Sequence, residues 1–185
     1  MNRLNYLYPN IFKKQSYIVI KNYLNFLQKN IIKDYINKNP CLSNIYHKEN
    51  IDRILTKGTI PQYISFIINK PIHLFNYQII NKHYNINYCN SLNKNSNSDI
   101  NCLINISDTD ITSSSIQFSP YIYNDEHYKN GILDDSKIDE LTWVNCPTSY
   151  GDIVLFNSSI PYRFSSNVNS STIKALNIKY TPAYI

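Results

Sequence analysis

Glycine is scarce, at three in 185 residues, and none of the three sits in a GxSxG elbow, so a hydrolase built on that turn has no support. The four cysteines stand far apart, at 41, 89, 102 and 146, with no CxxC pair. Neither a zinc site nor a redox dithiol is signalled, and such thiols read as free and buried in a reducing compartment. No early apolar run has the length of a membrane helix or the shape of a signal peptide, since the chain begins Met1-Asn2-Arg3-Leu4-Asn5. The expectation is a soluble intracellular protein, cytoplasmic, with no membrane partner. A strong charge is also missing. The net value is +5 with the lysines scattered, which reads as a solvated surface, and nucleic acid is not an expected partner.

What is present is an ordinary apolar share, 43%, on a chain long enough for one domain with a real core. Asn, Ile, Lys and Tyr are abundant; their codons are A/T-rich, so this bias reads as genomic rather than functional. No repeat or linker interrupts the sequence. A single domain over 1–185 is expected, with helices and one strand in 1–70 and a β core in 71–185.

Ser16 to Lys21 reads as a strand. Asn22 is placed to cap a helix in which Leu24, Leu27, Ile31 and Tyr35 recur at three-to-four spacing, ending at Asn39-Pro40. A second helix is predicted from Glu49 to Leu55, stopping near Gly58, and a third from Pro61 through Ile64, Ile67 and Ile68. From Pro71 the pattern changes to strands: Ile72 to Lys82, a weaker Asn85 to Leu92, Cys102 to Ile106, Ser115 to Ser119 and Trp143-Val144. Tyr121 to Glu140 reads as an insertion with a short helix near Asp135 to Leu141.

The most informative stretch is Gly151 to Pro182. Gly151-Asp152 closes a turn. Ile153 and Leu155 then face one side and Val154 and Phe156 the other, so both faces read as buried. Ile173, Ala175, Asn177 and Lys179 alternate with Lys174, Leu176, Ile178 and Tyr180. Gly151-Asp152, Val154-Leu155-Phe156, Pro161-Tyr162-Arg163, Asn167, Ala175-Leu176, Tyr180 and Pro182 fall at an ungapped spacing. This run resembles the C-terminal half of the phytanoyl-CoA dioxygenase family, Fe(II)/2-oxoglutarate oxygenases. The resemblance implies a double-stranded β-helix of about eight strands, a jelly-roll or cupin-like core backed by helices. It also implies Fe(II) and 2-oxoglutarate as the family's cofactors.

The departures fall on the chemistry. The family's late iron-binding His corresponds to Tyr162, and its Arg for the far carboxylate of 2-oxoglutarate to Ile173. The family's His-x-Asp occurs nowhere in the sequence. Two alignments for that pair stay open. His83 and Asn85 keep the imidazole and turn the carboxylate into an amide; Cys89 and Ser91 replace both. Neither supplies the carboxylate of a facial triad. A phenol, with a reference pKa of about 10, binds iron only as phenolate and favours the ferric state. Ile173 cannot clamp a carboxylate, and Lys174 falls on the opposite face of its strand by alternation, as Arg163 does relative to Tyr162. His47 and His127 read as surface residues, His73 as a core or edge residue of a strand, and Asp108 and Asp110 as turn caps.

The resulting expectation is a degenerate member without iron, 2-oxoglutarate or other cofactor, acting on an unknown small molecule or protein as a non-catalytic binding or scaffold module. Two alternatives accompany it: an active oxygenase, a hydroxylase with an atypical metal site, and a metal-free cupin-like small-molecule binder or isomerase.

Overall fold

The computed structural model describes residues 4–39, 49–83, 99–109, 115–119, 128–129, 132–133, 135–165 and 172–183. Helix α1 (Leu4–Gln15), strand β1 (Tyr17–Ile20) and helices α2 (Phe26–Lys38), α3 (Glu49–Lys57) and α4 (Thr59–Ile68) come first. The strands follow: β2 (Ile72–His83), β3 (Ile100–Asn105), β4 (Ile116–Phe118), β5 (Tyr128–Lys129), β6 (Ile132–Leu133), β7 (Val144–Cys146), β8 (Ile153–Asn157), β9 (Tyr162–Phe164) and β10 (Thr172–Pro182). A 3-10 helix, Asp135–Glu140, precedes β7. The predicted switch from helices to strands near Pro71 is where the chain makes it. Among the described residues no helix is long and apolar enough to cross a membrane.

A five-stranded antiparallel sheet has the order β1-β8-β3-β10-β2, and a three-stranded sheet the order β7-β4-β9. Strand alternation divides the apolar residues between two layers. Ile153, Leu155, Cys102, Ile104, Leu176, Ile178 and Tyr180 face the helices and pack with Ile32, Ile36, Leu55, Ile60 and Ile64. Leu103, Val154, Phe156 and Ala175 face the other way and pack with Ile116, Phe118, Tyr162 and Phe164 of the small sheet. Each fully buried Ile, Leu or Phe here contributes about 1.5–3 kcal/mol. Tyr180 is wholly buried among the helices, and its hydroxyl donates to the Leu55 carbonyl oxygen at 2.9 Å.

Gly151 and Asp152 set up β8. Gly151 has a φ of 109°, which L side chains rarely adopt, and its carbonyl accepts from Leu24 N at 2.9 Å. Asp152 is buried and accepts from Lys21 Nζ at 2.9 Å, Asn22 N at 2.8 Å and Ser149 N at 2.8 Å. One carboxylate therefore ties the end of β1 to the start of β8.

The helix starts differ from their predictions. Asn22 is not the cap; it takes φ 51° in the turn after β1. The cap is Asn25, whose side chain accepts from Gln28 N at 2.9 Å while the Gln28 side chain accepts from Asn25 N at 3.1 Å, a complete capping box. The buried stripe of α2 is accordingly Ile32, Tyr35 and Ile36, and Leu27 is exposed. Pro61 is the third residue of α4 rather than the first, because Gly58 occupies the cap. Helix α1 was not predicted. It contains Pro9, which removes one backbone donor, and it packs on α4 through Tyr8 and Tyr63, ring centroids 6.4 Å apart. The predicted strand Asn85 to Leu92 lies outside the described residues.

Candidate functional site

The layer between the two sheets holds one of the positions that the sequence marks as functional, Tyr162. β9 brings Tyr162 into it opposite Phe118 of β4. Tyr162 is 9% exposed, with its ring 4.8 Å from Phe156 and 6.4 Å from Phe118. Tyr17 of β1 stacks on Phe118 at 4.5 Å, completing an aromatic wall. Arg163 turns to the other side of the small sheet. Its Nε donates to Gln117 Oε1 at 2.6 Å and its guanidinium lies 4.2 Å from the centre of the Trp143 ring. Gln117 Nε2 in turn donates to Asn145 Oδ1 at 2.7 Å.

β10 carries the second marked position. Ile173 is the register partner of Lys82, and Thr172 of His83, so the backbone sets positions 83 and 173 on neighbouring strands at one end of the large sheet. Lys174 is half-buried and shares the strand face of Leu176 and Ile178, whose side chains pack under the helices, so it belongs to the face away from Tyr162. Asn85, Cys89 and Ser91 lie outside the described residues, as do Asp110, His47 and His127. His73 is exposed on β2, an edge strand. Asp108 Oδ1 accepts from Tyr150 N at 2.7 Å and so ties two loops together. The chain does hold one His-x-Glu, His47-Lys48-Glu49, but Glu49 is the exposed first residue of α3, before β2, not a strand position.

Asn105 was not marked by the sequence. It ends β3 beside Ala175, its Nδ2 donates to Thr148 Oγ1 at 2.7 Å, and its buried Oδ1 has no partner among the described residues. Asn177 Oδ1, one row further along β10, is buried and unpartnered in the same sense. The available signal is an asparagine alternating with Leu103 in a strand buried at every position.

The two described thiols do not add reactivity. Burial pushes the Cys146 thiol up to about 11, and burial pushes Cys102 up as well, so both are protonated at neutral pH. Burial, with Cys146 beside it, pushes the Tyr17 phenol up to about 12. Among the described residues no three His, Cys, Asp or Glu side chains gather to hold an ion. The phenol at position 162 does not supply the imidazole of a facial triad.

No family model matches the sequence, and no curated protein matches it. Solved structures do. SnoN, a non-heme alpha ketoglutarate dependent epimerase from nogalamycin biosynthesis, has 9% identity over 97% of this chain and 84% of its own, with TM-score 0.79. SnoK, a non-heme alpha ketoglutarate dependent carbocyclase of the same biosynthesis, has 12% identity over 99% and 85%, with TM-score 0.75. HygX from Streptomyces hygroscopicus, solved with nickel and 2-oxoglutarate bound, has 10% identity over 100% and 88%, with TM-score 0.69. Helices on one face of the large sheet, a small sheet on the other and the likeness to these structures together make this chain's fold the helix-backed jelly roll of the non-heme iron, 2-oxoglutarate-dependent enzymes.

Proposed function

We propose that this chain is a phytanoyl-CoA dioxygenase-like protein that has lost iron and 2-oxoglutarate binding and acts as a non-catalytic binding or scaffold module, using the cleft between its sheets. The observation that carries this reading is Tyr162. By the resemblance it stands for the family's late iron ligand, and its ring packs at a tilt against Phe156 and Phe118. A ring held in that way supports a packing role, since a phenol binds iron only as phenolate and burial among rings disfavours that charge. Lys174 on the helix-facing side of β10 supports the same reading, because on that face it is not placed to clamp a dianion in the inner layer.

The test is anaerobic reconstitution with Fe(II), metal analysis after gel filtration, and assay of succinate formed from 2-oxoglutarate. The expected result is iron well below stoichiometric and no succinate above a protein-free control. Stoichiometric iron with succinate formation would establish the alternative, an active oxygenase with an atypical site, which the 2-oxoglutarate-dependent company of SnoN, SnoK and HygX favours.

A further inference from the structure

The inner face of β3, β10 and β2 is lined by carboxamides. Leu103 and Ala175 belong to the inner layer, which fixes the parity of their strands. Three cross-strand rows follow from the register: Asn105, Ala175 and Ile80; Leu103, Asn177 and Gln78; Asn101, Lys179 and Asn76. Directly opposed side chains in such rows start about 5 Å apart and diagonal ones about 7–8 Å, so Asn105 and Asn177 are within reach of one small molecule. The rows grade from buried to open. Asn105, Asn101 and Asn177 are 3%, 7% and 8% exposed, while Gln78 and Asn76 are exposed.

Two of these amides are incompletely satisfied. Asn101 Nδ2 donates to Ser158 Oγ at 2.8 Å. Asn105 Oδ1 and Asn177 Oδ1, both more than nine-tenths buried, accept from no described residue. Buried acceptors of this kind are disfavoured and call for a donor. An anion would set its oxygens against theirs, and the one cation in the rows, Lys179, is already held by Asp99 at 2.8 Å. An ammonium group would be buried here with no carboxylate on the rows to pair it. A hydroxyl both donates and accepts, without charge, as a carboxamide does. Apolar surface lies alongside: Phe156 is the register partner of Asn101 and Val154 of Leu103. At the open end Phe75, the unpaired residue of the bulge in β2, is 61% exposed with Lys179 Nζ 5.4 Å from its ring centre.

We propose that this face is a binding site for a neutral polyhydroxylated ligand, a mono- or disaccharide or the sugar portion of a glycoside. Hydroxyls would donate to Asn105 Oδ1 and Asn177 Oδ1, and Gln78 and Asn76 would close over the outer part. The proposal rests on the non-catalytic reading of the same cleft.

Saturation-transfer NMR on the full chain tests it, with methyl glycosides of glucose, galactose and mannose, sucrose and maltose as neutral probes and 2-oxoglutarate as the dianion. At least one neutral sugar is expected to bind, and 2-oxoglutarate is not. Asn177→Leu, which removes the lone acceptor and keeps the branched outline of the side chain, should weaken sugar binding tenfold or more while leaving the melting temperature of the sugar-free protein equal or higher. Gln78→Ala, at an exposed position, should weaken it severalfold with no effect on folding. Failure of every sugar to bind, binding unchanged in both variants, binding of 2-oxoglutarate alone, or a lower melting temperature for Asn177→Leu without sugar would each overturn the inference. Iron and succinate measured on the same samples keep the two readings apart. Stoichiometric iron with turnover defeats the non-catalytic reading whether or not sugar binds, and iron-free protein that ignores every sugar defeats this inference alone.

Discussion

Replacing Asp152 by Asn should cost this protein a large part of its stability. The carboxylate accepts from two backbone N–H groups and from Lys21 Nζ, all within 2.9 Å. An amide at the same place keeps one acceptor oxygen and turns an N–H₂ toward the remaining donors. One buried backbone donor left unpaired costs about 1–3 kcal/mol. The ion pair adds little, up to about 1 kcal/mol, because the Lys21 side chain is 58% exposed and solvent screens it. The expected loss is therefore about 1–4 kcal/mol against a total near 5–15 kcal/mol for a domain. Urea unfolding reads this as a midpoint about 0.5–2 M lower with an unchanged slope.

The pH dependence should follow. Burial pushes the Asp152 carboxyl up, but the hydrogen bonds from Lys21, Ser149 and Asn22 outweigh it and hold the group below the usual carboxylate range. A lowered native pKa means that the stabilisation is complete above the unfolded-state value of about 3.9 and disappears as pH falls below it. The gap between wild type and Asp152→Asn should narrow as pH falls through the unfolded-state value and on through the lowered native one. A midpoint shift worth less than about 0.5 kcal/mol at neutral pH would refute the reasoning, since surface substitutions commonly reach that size. So would a gap that widened in acid.

Tyr180→Phe keeps the buried ring and removes the hydroxyl that serves the Leu55 carbonyl; a loss of about 1–2 kcal/mol in urea unfolding is expected. Restoring oxygenase chemistry should need Tyr162→His and Ile173→Arg together with Asn85→Asp or Ser91→Asp. Any one of these alone should leave both iron content and succinate formation at the level of the wild type, and iron uptake by Tyr162→His alone would contradict the prediction.

The legible parts of the fold were those where both faces of an element are buried. Along β8 the buried side chains Ile153, Val154, Leu155 and Phe156 are all apolar, so alternation in the sequence maps onto layers without ambiguity. Helix starts were less legible because two asparagines compete. Asn22 precedes the apolar residues, but only Asn25 has a glutamine three residues on, and that local pairing sets the start of α2. Helix α1 was hidden by Pro9, which local propensity reads as a break and packing against α4 overrides. The candidate site was half legible. Tyr162 and Ile173 could be singled out by resemblance. The amide rows could not, because nothing within β3 or β2 states that β10 lies between them. Asparagines in an Asn-rich chain become a patch only once register is known.

The position of β10 has a consequence for how the chain folds. Helices α1 to α4 and strands β2 and β3 precede it, yet β2 and β3 meet only through it, and β1 likewise waits for β8. Until those late segments arrive, β2 and β3 have open backbone edges and the helices have no complete sheet to cover. Closing the sheet then joins residues some 90 to 140 positions apart, such as Ile80 with Ala175 and Tyr17 with Phe156. Loop closure over such separations makes folding slow and leaves strand edges open to other chains in the meantime. Vulnerability to aggregation should therefore be concentrated in the interval between synthesis of β3 and synthesis of β10, and the nascent chain, more than the finished protein, should depend on chaperones.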